Sequence, residues 1–195
     1  HWVKTSVSSE NISKDGAEAI YIANNDPGKI ATLILPADTA WGKASNIVSA
    51  EKPMPRKKVN KDNIVKTAKI LTNGKNSTLV LGGKALNEKC TELAGKIAAK
   101  TGCGIITEAA NSRLSRGEGR VQMLRIPGAG VVDKAIKMLD KAGQLVLVGS
   151  KPPVAFFGYP NKPSLLYKKG TPIYTLVETE EDIYSALVDL VYELN

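Results

Sequence analysis

Apolar residues run together, with almost no polar alternation, at Ser77 to Leu81 (STLVL), Cys103 to Thr107 and Leu145 to Val148. Such runs suit strands buried on both faces, as in a parallel sheet. Gly82 and Gly83 break the first run. From Lys84 onward, Leu86, Cys90, Leu93, Ala94, Ile97 and Ala98 recur at helical spacing, with Asn87, Lys89, Thr91 and Lys96 facing the other way. Strand, glycine turn, helix and strand make a βαβ unit, the building block of a doubly wound α/β domain. Ligands of such sheets bind outside the carboxyl ends of the strands. Here those ends are Gly82 and Gly83, the segment after Thr107, and Gly149 to Lys151.

The rest of the pattern fills in around this core. Trp2 to Val7 alternates weakly and can form a strand. Ser8 or Ser9 can cap a helix with an inner face of Ile12, Gly16, Ala19, Ile20 and Ala23, and Ile30 to Leu35 reads as a buried strand. From Ala44 to Asn60 the periodicity lapses into prolines and the basic cluster Arg56-Lys57-Lys58, the composition of a linker. Lys61 to Asn73 predicts a helix closed by Gly74. Ala110 to Pro127 reads as a long surface loop, Gly128 to Ala142 as a helix, Ile173 to Val177 as a strand and Glu181 to Leu194 as an amphipathic helix. The pattern thus predicts a partial αβ unit over 1–45, a linker over 46–59 and an α/β domain over 60–195.

With 195 residues the chain is long enough for one full core and an extra piece. No apolar run approaches the length of a membrane span, so no membrane partner is expected. The net charge of +8 comes mostly from lysines spread over successive helices. Dispersed lysines without interleaved aromatics read as a solvated surface, not a nucleic-acid footprint. Cys90 and Cys103 show no metal-ligand spacing and read as reduced core thiols of a cytoplasmic protein. His1 is the only histidine, which excludes a histidine-based triad or a multi-histidine metal site. A chain that opens on His1-Trp2 is expected to be a processed protein or an excised piece.

Several side chains could carry chemistry, each beside a plainer explanation. Gly82-Gly83 opens a helix, where free N–H groups favour an anion, yet any tight strand-to-helix turn uses glycine. Arg113, Arg116 and Arg120 follow a strand end, where guanidinium forks could clamp phosphate or carboxylate, or simply face solvent. Lys151 stands at the same sheet edge. Phe156, Phe157 and Tyr159 could stack on a planar ligand or pack against a neighbouring domain. No carboxylate pair suits acid–base work, and Ser150 lacks the G-x-S-x-G context of a nucleophile.

Three stretches go beyond pattern: GKIATLILPADTAW (Gly28 to Trp41), LVLGGKALNEKCTELAGKIAAKTG (Leu79 to Gly102) and LVLVGSKPPVAFFGYPNKPS (Leu145 to Ser164). Together they resemble the thiamine-diphosphate-dependent enzymes of the acetolactate synthase group, in the branch of acetolactate-synthase-like large subunits. On that resemblance, His1 to about Ser45 corresponds to the last αβ unit of the pyrimidine-binding domain. Asn60 to Asn195 corresponds to the central domain, a Rossmann-like six-stranded parallel sheet with helices on both faces.

The resemblance implies a parent enzyme that binds thiamine diphosphate and magnesium and makes or breaks carbon–carbon bonds on a 2-oxo acid. The family's activating glutamate and its Gly-Asp-Gly motif with paired asparagines belong to the flanking domains, and Gly-Asp-Gly does not occur here. This segment is therefore expected to hold no cofactor and no catalytic residue. Its partners would be the pyrimidine- and diphosphate-binding domains, in a homo-oligomeric parent. Some central domains of the family hold FAD or ADP. The flavin motif Gly-x-Arg-Phe-Asp-Asp-Arg is replaced here by Gly149-Ser150-Lys151-Pro152-Pro153, which argues against FAD. What the resemblance leaves is a vestigial nucleotide pocket of Gly82, Gly83, Gly149 and Lys151, and the alternative reading is a free-standing module that binds FAD or ADP.

Overall fold

The computed structural model describes residues 1–25 and 27–195, which form two compact units, His1–Arg56 and Lys57–Asn195. The break falls within the stretch whose composition reads as a linker. In the first unit, β1 (Trp2–Thr5) pairs in parallel with β2 (Ala31–Ile34), and α1 (Ile12–Asn24) connects them. A short helix, α2 (Ala37–Trp41), follows.

Two expectations fail in this unit. The segment read as a buried strand leaves Ile30, Ile34 and Leu35 exposed, because a sheet of two strands offers little surface to cover them. The inner face of α1 also differs: Asp15 and Ala17 are buried while Ile20 is 55% exposed. The helix is turned by charge. Lys4 of β1 lies 2.8 Å from both Asp15 Oδ1 and Glu18 Oε2, and Trp2 Nε1–H donates to Glu18 at 3.2 Å.

Those contacts set a pH dependence. The hydrogen bond from Lys4, helped by one from Ser6, holds the Asp15 carboxyl below its usual range. A carboxylate with a lowered native pKa stabilises the fold above the unfolded-state value of about 4, and that contribution is lost as pH falls through the native value. Both tryptophans, Trp2 and Trp41, lie in this unit. Urea unfolding followed by tryptophan fluorescence should therefore show stability falling on acidification below about pH 4, and Asp15→Asn should flatten that fall.

The second unit is built on a parallel sheet of β3 (Ser77–Leu81), β4 (Gly104–Thr107), β5 (Leu124–Arg125), β6 (Gln144–Val148) and β7 (Ile173–Val177), in the order β5-β4-β3-β6-β7. The sheet has five strands among the described residues, not six. The fifth, β5, is a two-residue edge strand inside the segment read as loop, and the two residues after the last helix add none. The helices are α3 (Lys61–Leu71), α4 (Glu88–Thr101), α5 (Val132–Leu139) and α6 (Ile183–Glu193).

Strand alternation distributes the core between the two faces. Leu79, Leu81, Val146 and Val148 point to the face covered by α3, α4 and α6, where they meet Ile64, Ile97, Leu187 and Leu190. Val80, Leu145 and Leu147 point to the other face, against Val132, Ala135 and Leu139 of α5 and Leu166 of the following loop. Both cysteines are buried and form no disulfide, and burial pushes the Cys103 thiol up.

The predicted helix after Gly83 is interrupted. Gly83–Leu86 forms a 3₁₀ turn, and α4 starts anew at Asn87, whose side chain accepts from the Cys90 N–H at 3.0 Å. At the end of α3 the cap is Thr72, whose N–H bonds to Ala68 O, and Gly74 lies in the turn beyond. Among the described residues no helix is long and apolar enough to cross a membrane.

Candidate functional site

The carboxyl ends of β3, β4 and β6 converge on one edge of the sheet, and the ladder runs one residue past each. The Gly82 N–H donates to Val148 O at 3.1 Å, the Glu108 N–H to Leu81 O at 3.0 Å and the Gly149 N–H to Val177 O at 2.9 Å. The strand order reverses between β3 and β6, so the crevice expected of a doubly wound sheet lies between Gly82-Gly83 and Gly149. The structure thus brings together three of the four residues that the sequence singles out.

Protein fills that crevice. The Gly83 N–H donates to Glu108 Oε1 at 2.9 Å, so the backbone donor available to a phosphate is already taken by a carboxylate. A Cβ on Gly82 would lie 2.7 Å from the Glu108 carboxyl and 2.7 Å from Gly149 O. Gly149 has φ +58°, and a Cβ there would lie 2.5 Å from Ile183 Cδ1. These glycines let two backbone turns and a side chain touch. Ser150 is buried, and its hydroxyl donates to Val80 O at 2.7 Å, which holds the turn after β6.

None of the three glycines borders the place where Lys151 stands, although Glu108 borders both. Lys151 lines a cavity of about 280 Å³ on the α5 face, together with Val80, Ile126, Val132, Phe156 and Leu166. Glu108 is the other charged residue in that lining. The cavity is roofed by the loop after β6. Val154 bridges Leu165, the Ala155 N–H donates to Ser164 O at 2.8 Å, and the Gly130 N–H donates to the Tyr159 hydroxyl at 2.7 Å. Phe156 and Phe157 meet edge-to-face at 4.6 Å, and Phe157 and Tyr159 at 5.9 Å, so the aromatics pack first on one another.

The arginine loop is divided. Arg116 and Arg120 line a second cavity with Arg125, while Arg113 does not. Arg120 is ion-paired with Glu88 at the start of α4. The sequence reading missed Glu108, Ile126 and Arg125. A lone acidic residue at the end of a buried strand was the available signal for Glu108; Ile126 and Arg125 carried none. No group of three or more His, Cys, Asp or Glu side chains able to hold a metal occurs among the described residues.

A doubly wound parallel sheet with helices on both faces, preceded by a small αβ unit, is the arrangement of the thiamine-diphosphate-dependent enzymes to which the chain compares. It superposes with a TM-score of 0.75 on the thiamine diphosphate-dependent 4-hydroxybenzoylformate decarboxylase of Rhodococcus jostii RHA1, at 17% identity, covering 100% of this chain and 39% of that one. On the benzoylformate decarboxylase of Polynucleobacter necessarius the TM-score is 0.73 at 16% identity, covering 98% and 38%.

The sequence narrows the class. IlvX of Mycobacterium tuberculosis, provisionally named an acetolactate synthase large subunit, is 32% identical over 190 residues, which are 96% of this chain and 36% of that protein. No protein-family model matches the chain. The chain is acetolactate-synthase-like in sequence and has the fold of thiamine-diphosphate-dependent enzymes, and it spans little more than a third of the length of this curated relative.

Proposed function

We propose that residues 60–195 are the central domain of an acetolactate-synthase-like, thiamine-diphosphate-dependent enzyme, and that residues 1–45 end its pyrimidine-binding domain. The observation that carries this reading is the match of 96% of the chain to 36% of a much longer relative. The parent would join or split carbon–carbon bonds next to a carbonyl on a 2-oxo acid, a transferase-type activity when the bond is formed. The decarboxylases of similar fold are named for 2-oxo acids of that kind. Thiamine diphosphate and magnesium would sit on the flanking pyrimidine- and diphosphate-binding domains of a homo-oligomeric, cytoplasmic parent, without nucleic acid or membrane.

In this reading the central domain is a brace. Its two apolar cores fix the sheet, and its carboxyl edge is closed by packing. Glu108 already takes up the Gly83 N–H, and the Gly82 and Gly149 backbones touch. That arrangement favours the brace over a free-standing FAD or ADP module built on Gly82, Gly83, Gly149 and Lys151. Calorimetric titration of the chain with FAD and NAD separates the two. The brace predicts that any heat is unchanged in Lys151→Gln, whereas saturable micromolar binding that is lost in Lys151→Gln would favour the nucleotide module.

A further inference from the structure

We propose that the cavity between β5 and the preceding loop is a binding site for a phosphate-bearing dianion, held by Arg116, Arg120 and Arg125. It encloses about 280 Å³ and is lined only by residues of the segment Leu114 to Arg125. Three of those residues are arginines and none is acidic. One guanidinium, that of Arg120, is neutralised by Glu88. Arg116 and Arg125 form no ion pair among the described residues. Two of the residues that line the cavity therefore carry uncompensated positive charge. A carboxylate would neutralise one of them; a phosphate monoester or a diphosphate neutralises both and matches the planar donor forks.

The loop is positioned before any ligand arrives, and among the described residues the side chains of Arg116 and Arg125 add no ion pair to what holds it. Leu114 packs on the core under α3, α4 and α6. Val121 seats on Gly95 of α4, so closely that a Cβ there would lie 2.7 Å from Val121 Cγ2. The Asn111 side chain donates to Thr107 Oγ1 at 3.1 Å and to Glu108 O at 2.8 Å. Leu124 and Arg125 pair with Ile106 and Thr107 as β5, and the Arg120 N–H closes a turn on Gly117 O at 3.2 Å. Apolar contacts and backbone bonds thus fix the frame, and two guanidiniums are left over. A preorganised cationic site loses less ordering entropy on binding than a mobile loop does. This site is independent of the brace reading, because its cavity shares no lining residue with the one that Lys151 lines.

The test is calorimetric titration of the full chain, in a low-salt buffer free of phosphate, with inorganic pyrophosphate, ADP and acetate. Saturable pyrophosphate binding is expected, weakened by added salt. Arg116→Gln and Arg125→Gln should each lower affinity about tenfold, since each removes charge-assisted hydrogen bonds. Arg113→Gln, on the same loop but outside the cavity, should leave affinity unchanged. ADP binding as tightly as pyrophosphate, with the same sensitivity to both variants, identifies the diphosphate as the group recognised. The proposal is overturned by absence of heat with pyrophosphate, by ADP binding while pyrophosphate stays silent, by equal binding of acetate, or by affinity that survives the Arg116→Gln/Arg125→Gln double variant. The arginines are exposed, and far-UV circular dichroism of each variant should match the parent chain.

Discussion

Replacing Gly82 with alanine is expected to destabilise the second unit by about 3 kcal/mol. The new methyl would meet the Glu108 carboxyl and Gly149 O, both at 2.7 Å. The carboxyl can swing aside at the loss of its bond to the Gly83 N–H. The carbonyl cannot, because Gly149 donates its own N–H to Val177 O in the ladder. The neighbouring substitution provides the scale. Gly83 has φ +48° with nothing nearer its Cβ than Gly149 O at 3.6 Å, so Gly83→Ala costs only the left-handed conformation, about 1–2 kcal/mol. Urea unfolding followed by circular dichroism compares the two. A Gly82→Ala variant no less stable than Gly83→Ala would mean that the crevice is open and not packed shut.

Gln144→Leu should be comparably damaging, by roughly 3 kcal/mol, for a different reason. Gln144 opens β6 and is fully buried, and the two hydrogens of its Nε2 are shared among three acceptors, Ile70 O at 2.7 Å, Ser77 Oγ at 2.7 Å and Asn73 Oδ1 at 3.1 Å. Asn73 donates back to Gln144 Oε1 at 3.2 Å. One amide therefore satisfies a carbonyl in the last turn of α3, ties it to the start of β3 and holds the intervening turn. Leucine fills a similar volume but leaves that carbonyl and the Asn73 amide without their partner. A loss below about 1 kcal/mol in the same unfolding assay would show that water replaces the amide there.

Both residues show where the sequence is readable and where it is not. β3 and β6 are legible because strands buried on both faces are apolar at nearly every position, and α4 and α6 because their buried residues repeat at helical spacing. β5 is not legible. Leu124 and Arg125 are exposed edge residues whose pairing with β4, not their composition, makes them a strand. The inner face of α1 is misread because its orientation comes from Lys4 pairing with Asp15 and Glu18, and apolar periodicity does not record ion pairs.

The candidate site was readable to the same degree. The glycines announce a close approach of backbone, and the structure brings Gly82, Gly83 and Gly149 together. What approaches them is invisible in the sequence. Glu108 reaches the Gly83 N–H from 25 residues away, a contact that only the pairing of β3 with β4 creates. Lys151 follows Gly149 by two residues, yet it lines the cavity on the α5 face, which none of the three glycines does. The arginines of the loop were visible as charges, but Arg125 joins Arg116 and Arg120 only once β5 docks on β4.

The central claim is that this polypeptide supports the chemistry of a larger enzyme without performing it. The most direct measurement is to incubate the purified chain with thiamine diphosphate, magnesium and a 2-oxo acid such as pyruvate, following product by release of carbon dioxide. No carbon dioxide above the protein-free rate is predicted. Release of carbon dioxide that depends on thiamine diphosphate would contradict the account.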